Sequence, residues 1–134
     1  MAYRNPIPMV DIVVGMNKRG AVLIERENEA LPGGIVDYSK TLEHAAIREA
    51  REETCLEVEL EGQFHAYSDP GRDESQHNIS IVFLARAEGV PKAASDARNI
   101  GIFTEHNLPE PLAFGHADIL GDYFSERWML KEKH

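Results

Sequence analysis

The stretch that most constrains this chain covers residues 31–56, LPGGIVDYSKTLEHAAIREAREETCL. Its paired glycines predict a turn, which a short apolar piece and a helix then follow. Glu49, Glu52 and Glu53 are spaced by three and four residues, so they share one face of that helix. Clustered carboxylates repel one another, and hard oxygen ligands suit Mg²⁺ or Mn²⁺. The spacing therefore favours a site for a divalent cation.

A solvated, charge-rich helix face is the other interpretation of these glutamates, because such faces are common. From these residues alone, both interpretations stay open. Arg48 lies four residues before Glu52. Its guanidinium can therefore orient that carboxylate through a charge-assisted hydrogen bond.

The same stretch resembles the Nudix box, G-x5-E-x7-R-E-U-x-E-E-x-G-U, in which U is apolar. Counted from Gly34, the positions that match are Arg48, Glu49, Ala50, Glu52, Glu53 and Leu56. Two positions depart from the motif, since Lys40 stands in place of the first Glu and Cys55 in place of the closing Gly.

The resemblance implies an α/β fold, a Nudix-type α/β/α sandwich with a mixed β-sheet. It implies a pyrophosphohydrolase that uses Mg²⁺ or Mn²⁺ as its cofactor. The implied metal ligands are Glu49, Glu52, Glu53 and the backbone carbonyl of Gly33. Arg48 joins the glutamates in the implied catalytic set as an orienting residue.

Both departures fall near the ends of the predicted helix. Lys40 places a positive charge near the helix N-terminus, which is unfavourable by about 0.3–1 kcal/mol at an exposed site. It is either a tolerated surface change or a cause of weaker metal affinity or altered substrate choice. A non-glycine residue at Cys55 costs on the order of 1 kcal/mol if the backbone keeps a positive φ there. We expect Cys55 to be a packing residue rather than a nucleophile.

Further segments resemble the ADP-ribose pyrophosphatase subgroup of the family. These are residues 3–6 (YRNP), residues 68–73 (SDPGRD) and residues 112–118 (LAFGHAD). The resemblance implies hydrolysis of ADP-ribose to AMP and ribose 5-phosphate. The alternatives are a nucleoside triphosphate pyrophosphohydrolase and a Nudix-fold nucleotide-binding module with weak activity.

Three residues are candidates for binding the substrate. Arg72 can contact a phosphate, or it can form an ion pair with Asp69 or Asp73. Tyr3 and Phe114 can stack on adenine, or they can pack as ordinary aromatic residues. His77 and His116 are predicted to make structural hydrogen bonds rather than to act in catalysis.

Length and patterning predict a single domain over residues 1–134, which the resemblance implies to be a Nudix domain. Strands are expected at 10–16, 21–26, 35–37, 57–66 and 78–86, with a short apolar piece at 100–103 and helices at 41–54 and 113–129. The net charge of −9 argues against nucleic acid as a partner but not against a small nucleotide substrate. The single cysteine and the absence of long apolar runs favour a cytoplasmic protein without a membrane partner. The oligomeric state stays undecided, and one alternative is a homodimer in which the segment 3–8 crosses to a second copy.

Overall fold

The computed structural model describes residues 4–16, 20–25, 28–94, 97–113 and 115–132, with side chains described as far as Glu126. The strands in these ranges are β1 Ile7–Gly15, β2 Ala21–Glu25, β3 Glu29–Ala30, β4 Gly33–Ile35, β5 Glu59–Tyr67, β6 Asn78–Arg86 and β7 Asn99–Phe103. The helices are α1 Leu42–Thr54 and α2 His116–Glu132, and a short 3-10 turn covers Pro70–Arg72.

The strands form one mixed sheet in the order β3-β2-β1-β6-β5. β1 runs parallel to β6 and antiparallel to β2, while β4 pairs with β1 and β7 with β2. β1 is therefore a central strand of the sheet, since it pairs with β2, β4 and β6. Alternation along β1 sends successive side chains to opposite faces of the sheet.

Each face of the sheet is covered by one helix. Val10, Ile12 and Val14 pack in one core cluster together with Ala45 and Ala46 of α1. On the other face, the cluster that contains residues of α2 consists of Val13, Ala21, Leu23, Leu31, Val82, Ile119, Leu120, Tyr123 and Phe124. This arrangement confirms the predicted α/β/α sandwich with a mixed sheet.

Local sequence explains where α1 begins and how closely it packs. Thr41 caps the helix, because its side-chain oxygen accepts a hydrogen bond from the backbone N–H of His44 at 3.0 Å. Ala45, Ala46 and Ala50 are fully buried, and their spacing of one, four and five residues places them in an apolar stripe on one face of the helix. Small side chains let the helix approach the sheet, which brings its glutamates close to β4.

Some boundaries differ from the prediction for reasons of strand pairing. β4 begins at Gly33, two residues before the expected start, because Gly33 and Gly34 pair with Asp11 and Val10 of β1. The segment between the strands expected at 21–26 and 35–37 also contains β3, which pairs with β2. Within the described residues, no helix has the length and apolar character needed to cross a membrane.

Candidate active site

The glycine turn contacts the C-terminal half of α1 directly. The backbone N–H of Gly33 donates a hydrogen bond to Oε1 of Glu53 at 2.8 Å. Glu53 is only 2% exposed, so this contact holds a carboxylate in the interior. A Cβ on Gly33 would lie 2.3 Å from the carbonyl oxygen of Val10 and 2.4 Å from Oδ1 of Asp11. A side chain at this position would therefore force the backbone of β1 to shift.

The second glycine makes room for a second glutamate. A Cβ on Gly34 would lie 2.7 Å from the carboxylate carbon of Glu49. The carboxylate of Glu49 therefore lies directly against the turn, and its side chain is 13% exposed. Each of the two glycines thus lies beside one glutamate of α1, Gly33 beside Glu53 and Gly34 beside Glu49.

Arg48 connects the exposed side of this site. Its Nη2 atom lies 3.2 Å from Oδ2 of Asp37 and 3.1 Å from Oε1 of Glu49. Its Nη1 atom donates to Oε1 of Glu52 at 3.4 Å, as expected from their spacing on the helix. We call Arg48, Asp37, Glu49 and Glu52 the outer cluster. Sequence reasoning missed Asp37, although a carboxylate three residues after the second glycine was the available signal.

The oxygen atoms at the turn suit a hard divalent cation by their chemistry. Carboxylates of Glu49 and Glu53 lie beside the glycine pair, and Glu52 is held nearby by Arg48. In the described part of the chain, no group of three or more Asp, Glu, His or Cys side chains converges closely enough to hold a metal ion. A cation here would therefore need further oxygen donors, such as a backbone carbonyl or the phosphates of a substrate.

The two departures from the motif lie outside the outer cluster. Lys40 is exposed just before α1 begins. Cys55 has φ 60° and ψ 20°, so it keeps the left-handed conformation in which glycine is usual. The expectation that Cys55 packs inside the protein is wrong, because its side chain is exposed. It ends α1 at the surface.

Arg72 lies against the start of α2 rather than in open solvent. Its Nη1 atom donates to the carbonyl of Tyr67 at 3.0 Å, and its guanidinium lies 5.7 Å from the Tyr67 ring centroid. A Cβ on Gly115 would come within 2.6 Å of Nε and Nη2 of Arg72.

The carboxylates that could pair with Arg72 bond elsewhere. Asp69 accepts from the backbone N–H of Gly71, and Asp73 accepts from Ser75. Among the described residues, no ion pair joins Arg72 to either of them. The other predicted substrate contacts, Tyr3 and Phe114, lie outside the described residues.

Both histidines make hydrogen bonds, as expected. The Nε2 atom of His77 lies 2.8 Å from the carbonyl oxygen of Ser68. The Nδ1 atom of His116 accepts from the backbone N–H of Leu31 at 3.0 Å. Its Nε2 atom lies 3.5 Å from Oδ1 of Asp11.

Asp11 was overlooked by sequence reasoning. It is 5% exposed and accepts a hydrogen bond from the hydroxyl of Ser80, which is 1% exposed. Burial raises the pKa of Asp11, but hydrogen bonds from His116 and Ser80 and the charge of Arg72 outweigh burial and hold that pKa below its ordinary value. An acidic residue inside the apolar run VDIVVGM was the available signal.

Comparison with known proteins agrees with this geometry. The family model described as the NUDIX domain matches residues 6–123. A curated relative, the ADP-ribose pyrophosphatase of Methanocaldococcus jannaschii, is 39% identical over 94% of this chain and 76% of its own length.

Solved structures give the same result. A mutT/nudix family protein from Listeria innocua is 32% identical, with a TM-score of 0.76 over 95% of this chain and 99% of its own. A NUDIX hydrolase from Nitrosomonas europaea shares the fold at a TM-score of 0.83, with 23% identity over 96% of this chain and 75% of its own. This chain therefore belongs to the Nudix family and is a hydrolase that acts on pyrophosphate bonds.

Proposed function

We propose that this chain hydrolyses ADP-ribose to AMP and ribose 5-phosphate with the help of a divalent cation, Mg²⁺ or Mn²⁺. The observation that carries this proposal is the glycine turn, which holds Glu53 by a hydrogen bond of 2.8 Å and lies against the carboxylate of Glu49. The substrate is supported by the 39% identity with a relative named ADP-ribose pyrophosphatase.

The proposed reaction breaks one bond of the pyrophosphate bridge. The oxygen of a water molecule bonds to one phosphorus, and the bond from that phosphorus to the bridging oxygen breaks. The bridging oxygen leaves on the other phosphate, while the water gives up its proton to solvent. A bound divalent cation supplies charge neutralisation of the phosphates and a lowered pKa of bound water.

The residues assigned to hold the cation are Glu49, Glu52, Glu53 and the carbonyl of Gly33. Three of these groups are already held in place, since Arg48 bonds to Glu49 and Glu52 and the N–H of Gly33 bonds to Glu53. Partners of this kind fix the direction of a ligand and commonly change metal affinity or activity by about 10–100-fold when lost. Arg48 therefore acts as an orienting residue in this proposal.

We assign recognition of the substrate to the loops at the start of α2. Arg72 brings a positive charge there, although one of its N–H groups is used by the carbonyl of Tyr67. Tyr3 and Phe114 remain predicted contacts of the adenine ring. We further propose that residues 1–134 act as a single Nudix domain.

The first test replaces two of the assigned ligands. Glu52→Gln and Glu53→Gln keep the size and hydrogen-bonding oxygen of each side chain but remove its charge. We expect each to lower Mg²⁺-dependent release of AMP from ADP-ribose by at least about a hundredfold, which corresponds to about 2.7 kcal/mol of lost transition-state stabilisation.

The matched control is Glu57→Gln. Glu57 follows α1, and its side chain is 73% exposed. Among the described residues, its side chain bonds only to Arg51. It should keep wild-type turnover. Wild-type turnover in both Glu52→Gln and Glu53→Gln would overturn the site. Assaying ADP-ribose, NADH, diadenosine polyphosphates and nucleoside triphosphates with either metal tests the substrate, and faster release of pyrophosphate from a triphosphate would overturn the ADP-ribose assignment.

A further inference from the structure

A second polar cluster lies beneath the glycine turn, on the face of the sheet that α2 covers. Asp11 of β1 and Ser80 of β6 are 5% and 1% exposed, and the His116 side chain at the start of α2 is 12% exposed. We call these three residues the inner cluster. None of them belongs to the Nudix box, and the proposed reaction uses none of them.

Both nitrogens of the His116 imidazole contact other groups. The Nδ1 atom accepts from the N–H of Leu31 at 3.0 Å. The Nε2 atom faces Oδ1 of Asp11 at 3.5 Å. A replacement for His116 therefore has to contact two groups that lie in different directions.

The order of contacts excludes a nucleophilic serine. Ser80 donates its proton to Oδ2 of Asp11, so the carboxylate lies between the hydroxyl and the imidazole. Activation of a serine requires the imidazole to contact the hydroxyl directly. The inner cluster is built to hold groups in place.

What the inner cluster holds is the glycine turn. Leu31, which His116 binds, lies two residues before Gly33. Asp11 pairs with Gly33 between β1 and β4, and its Oδ1 atom occupies the space that a Gly33 side chain would need. From the other side, the N–H of Gly33 is bonded to Glu53. Gly33 is thus held between the inner cluster and the catalytic helix.

We propose that His116 is a positioning residue for the metal site. It fixes the segment 31–33 through the N–H of Leu31 and the carboxylate of Asp11, and so sets the position of the Gly33 carbonyl and of Glu53. The inference deepens the proposed function, because it assigns a role at the same site to the start of α2. It also means that residues on the α2 face of the sheet support the reaction, which takes place on the α1 face.

The test compares two variants of His116 with a control variant at a surface histidine. His116→Leu removes both of these contacts. His116→Gln keeps an amide oxygen and an amide N–H, separated by about the distance between the two ring nitrogens. The surface control is His106→Leu, since the side chain of His106 is 86% exposed.

Two measurements separate positioning from general stability. Amide hydrogen exchange of Leu31 and Gly33 reports directly on the hydrogen bonds that these amides donate to His116 and Glu53. The measurement needs neither metal nor substrate. We expect faster exchange at both amides in His116→Leu, with Ala46 and Ala50 inside α1 unchanged. We also expect kcat to fall by about 10–100-fold with little change in KM, because loss of a supporting contact commonly has this size of effect. His116→Gln should restore both properties, and His106→Leu should alter neither.

Each alternative result has a defined meaning. Unchanged exchange at Leu31 and Gly33 in His116→Leu would overturn the inference, as would equal loss of kcat in His116→Leu and His116→Gln. If His116→Leu does not fold, His116→Asn replaces it, because its shorter amide can accept from Leu31 but cannot reach Asp11. Equal kcat in the Asn and Gln variants would then overturn the inference. If amide exchange is altered in His116→Leu but the wild-type protein does not hydrolyse ADP-ribose, the inference is supported and the proposed substrate is rejected.

Discussion

The outer and inner clusters lie on opposite sides of one glycine turn and differ in their exposure to water. In the outer cluster, the side chains of Asp37 and Glu52 are 62% and 50% exposed around Arg48. In the inner cluster, Asp11 and Ser80 are almost fully buried. Both clusters contain carboxylates and hydrogen-bond donors, so they differ in their exposure to solvent rather than in the types of group they contain.

This difference assigns a separate task to each cluster. Exposed ion pairs contribute only about 0–1 kcal/mol each and can rearrange when a cation and phosphates arrive. A buried polar group that loses its partner costs about 1–3 kcal/mol, so buried contacts hold one geometry. We infer that the outer cluster adapts to the ligand while the inner cluster keeps the turn rigid. Substitutions on the two sides should therefore separate activity from stability.

The largest expected effect comes from placing a methyl group on each glycine in turn. Gly33→Ala meets the carbonyl oxygen of Val10 at 2.3 Å and the Asp11 carboxylate at 2.4 Å. Because moving the sheet backbone costs free energy, we expect the free energy of unfolding to fall by about 1–3 kcal/mol. We also expect most of the activity to be lost. Urea denaturation and kcat for AMP release measure the two effects.

Gly34→Ala is the matched variant one residue later. Its methyl group meets the end of the flexible Glu49 side chain at 2.7 Å. That carboxylate can move aside, so activity should fall while the free energy of unfolding changes less than in Gly33→Ala. Equal destabilisation by the two substitutions would contradict the proposed division between the clusters.

The next effect is confined to the outer cluster. Arg48→Lys replaces a planar guanidinium that contacts three carboxylates with a single ammonium group, which cannot bridge them all. We expect kcat/KM to fall by about 10–100-fold. The free energy of unfolding should change by less than about 1 kcal/mol, because the lost ion pairs are partly exposed.

The control for this variant lies on the same helix. Arg51→Lys alters an exposed pair, in which Arg51 donates to Glu57 at 2.6 Å and 2.9 Å beyond the site. It should leave kcat/KM unchanged. A drop in stability for Arg48→Lys without a drop in activity would show that the outer cluster supports the fold instead of the reaction.

The smallest effect tests a position that belongs to neither cluster. Cys55→Gly restores the usual residue of the motif at φ 60°, a left-handed conformation that glycine adopts without strain. We expect the protein to gain about 1 kcal/mol of stability with unchanged kcat. Cys55→Ala should give no such gain, since alanine carries the same strain. A changed kcat in Cys55→Gly would mean that the end of α1 is coupled to the outer cluster. Thermal unfolding and steady-state kinetics provide the comparison.

Much of the site could be predicted from residues that are close together in the chain. The spacing of Glu49, Glu52 and Glu53 follows from helical periodicity, and the same periodicity predicts the alanine stripe that buries α1. β6 was predicted with the bounds that the structure has, because an apolar run rich in β-branched residues favours a strand. These features depend on local geometry, which each segment carries with it.

The inner cluster could not be predicted in this way. Ser80 lies 69 positions after Asp11, and His116 lies 85 positions after Leu31. No periodic pattern links residues at such distances, since their contact depends on β1 lying parallel to β6 and on α2 covering that face.

The position of the glycine turn likewise depended on strand pairing. β4 begins at Gly33 because the glycines pair with β1, a contact that no turn or strand preference specifies. Local sequence thus places carboxylates on a helix and glycines in a turn, because these depend on backbone geometry over a few residues. Packing of distant strands and helices then decides which buried groups hold that turn against the carboxylates, because a buried polar group is stable only where the fold supplies its partner.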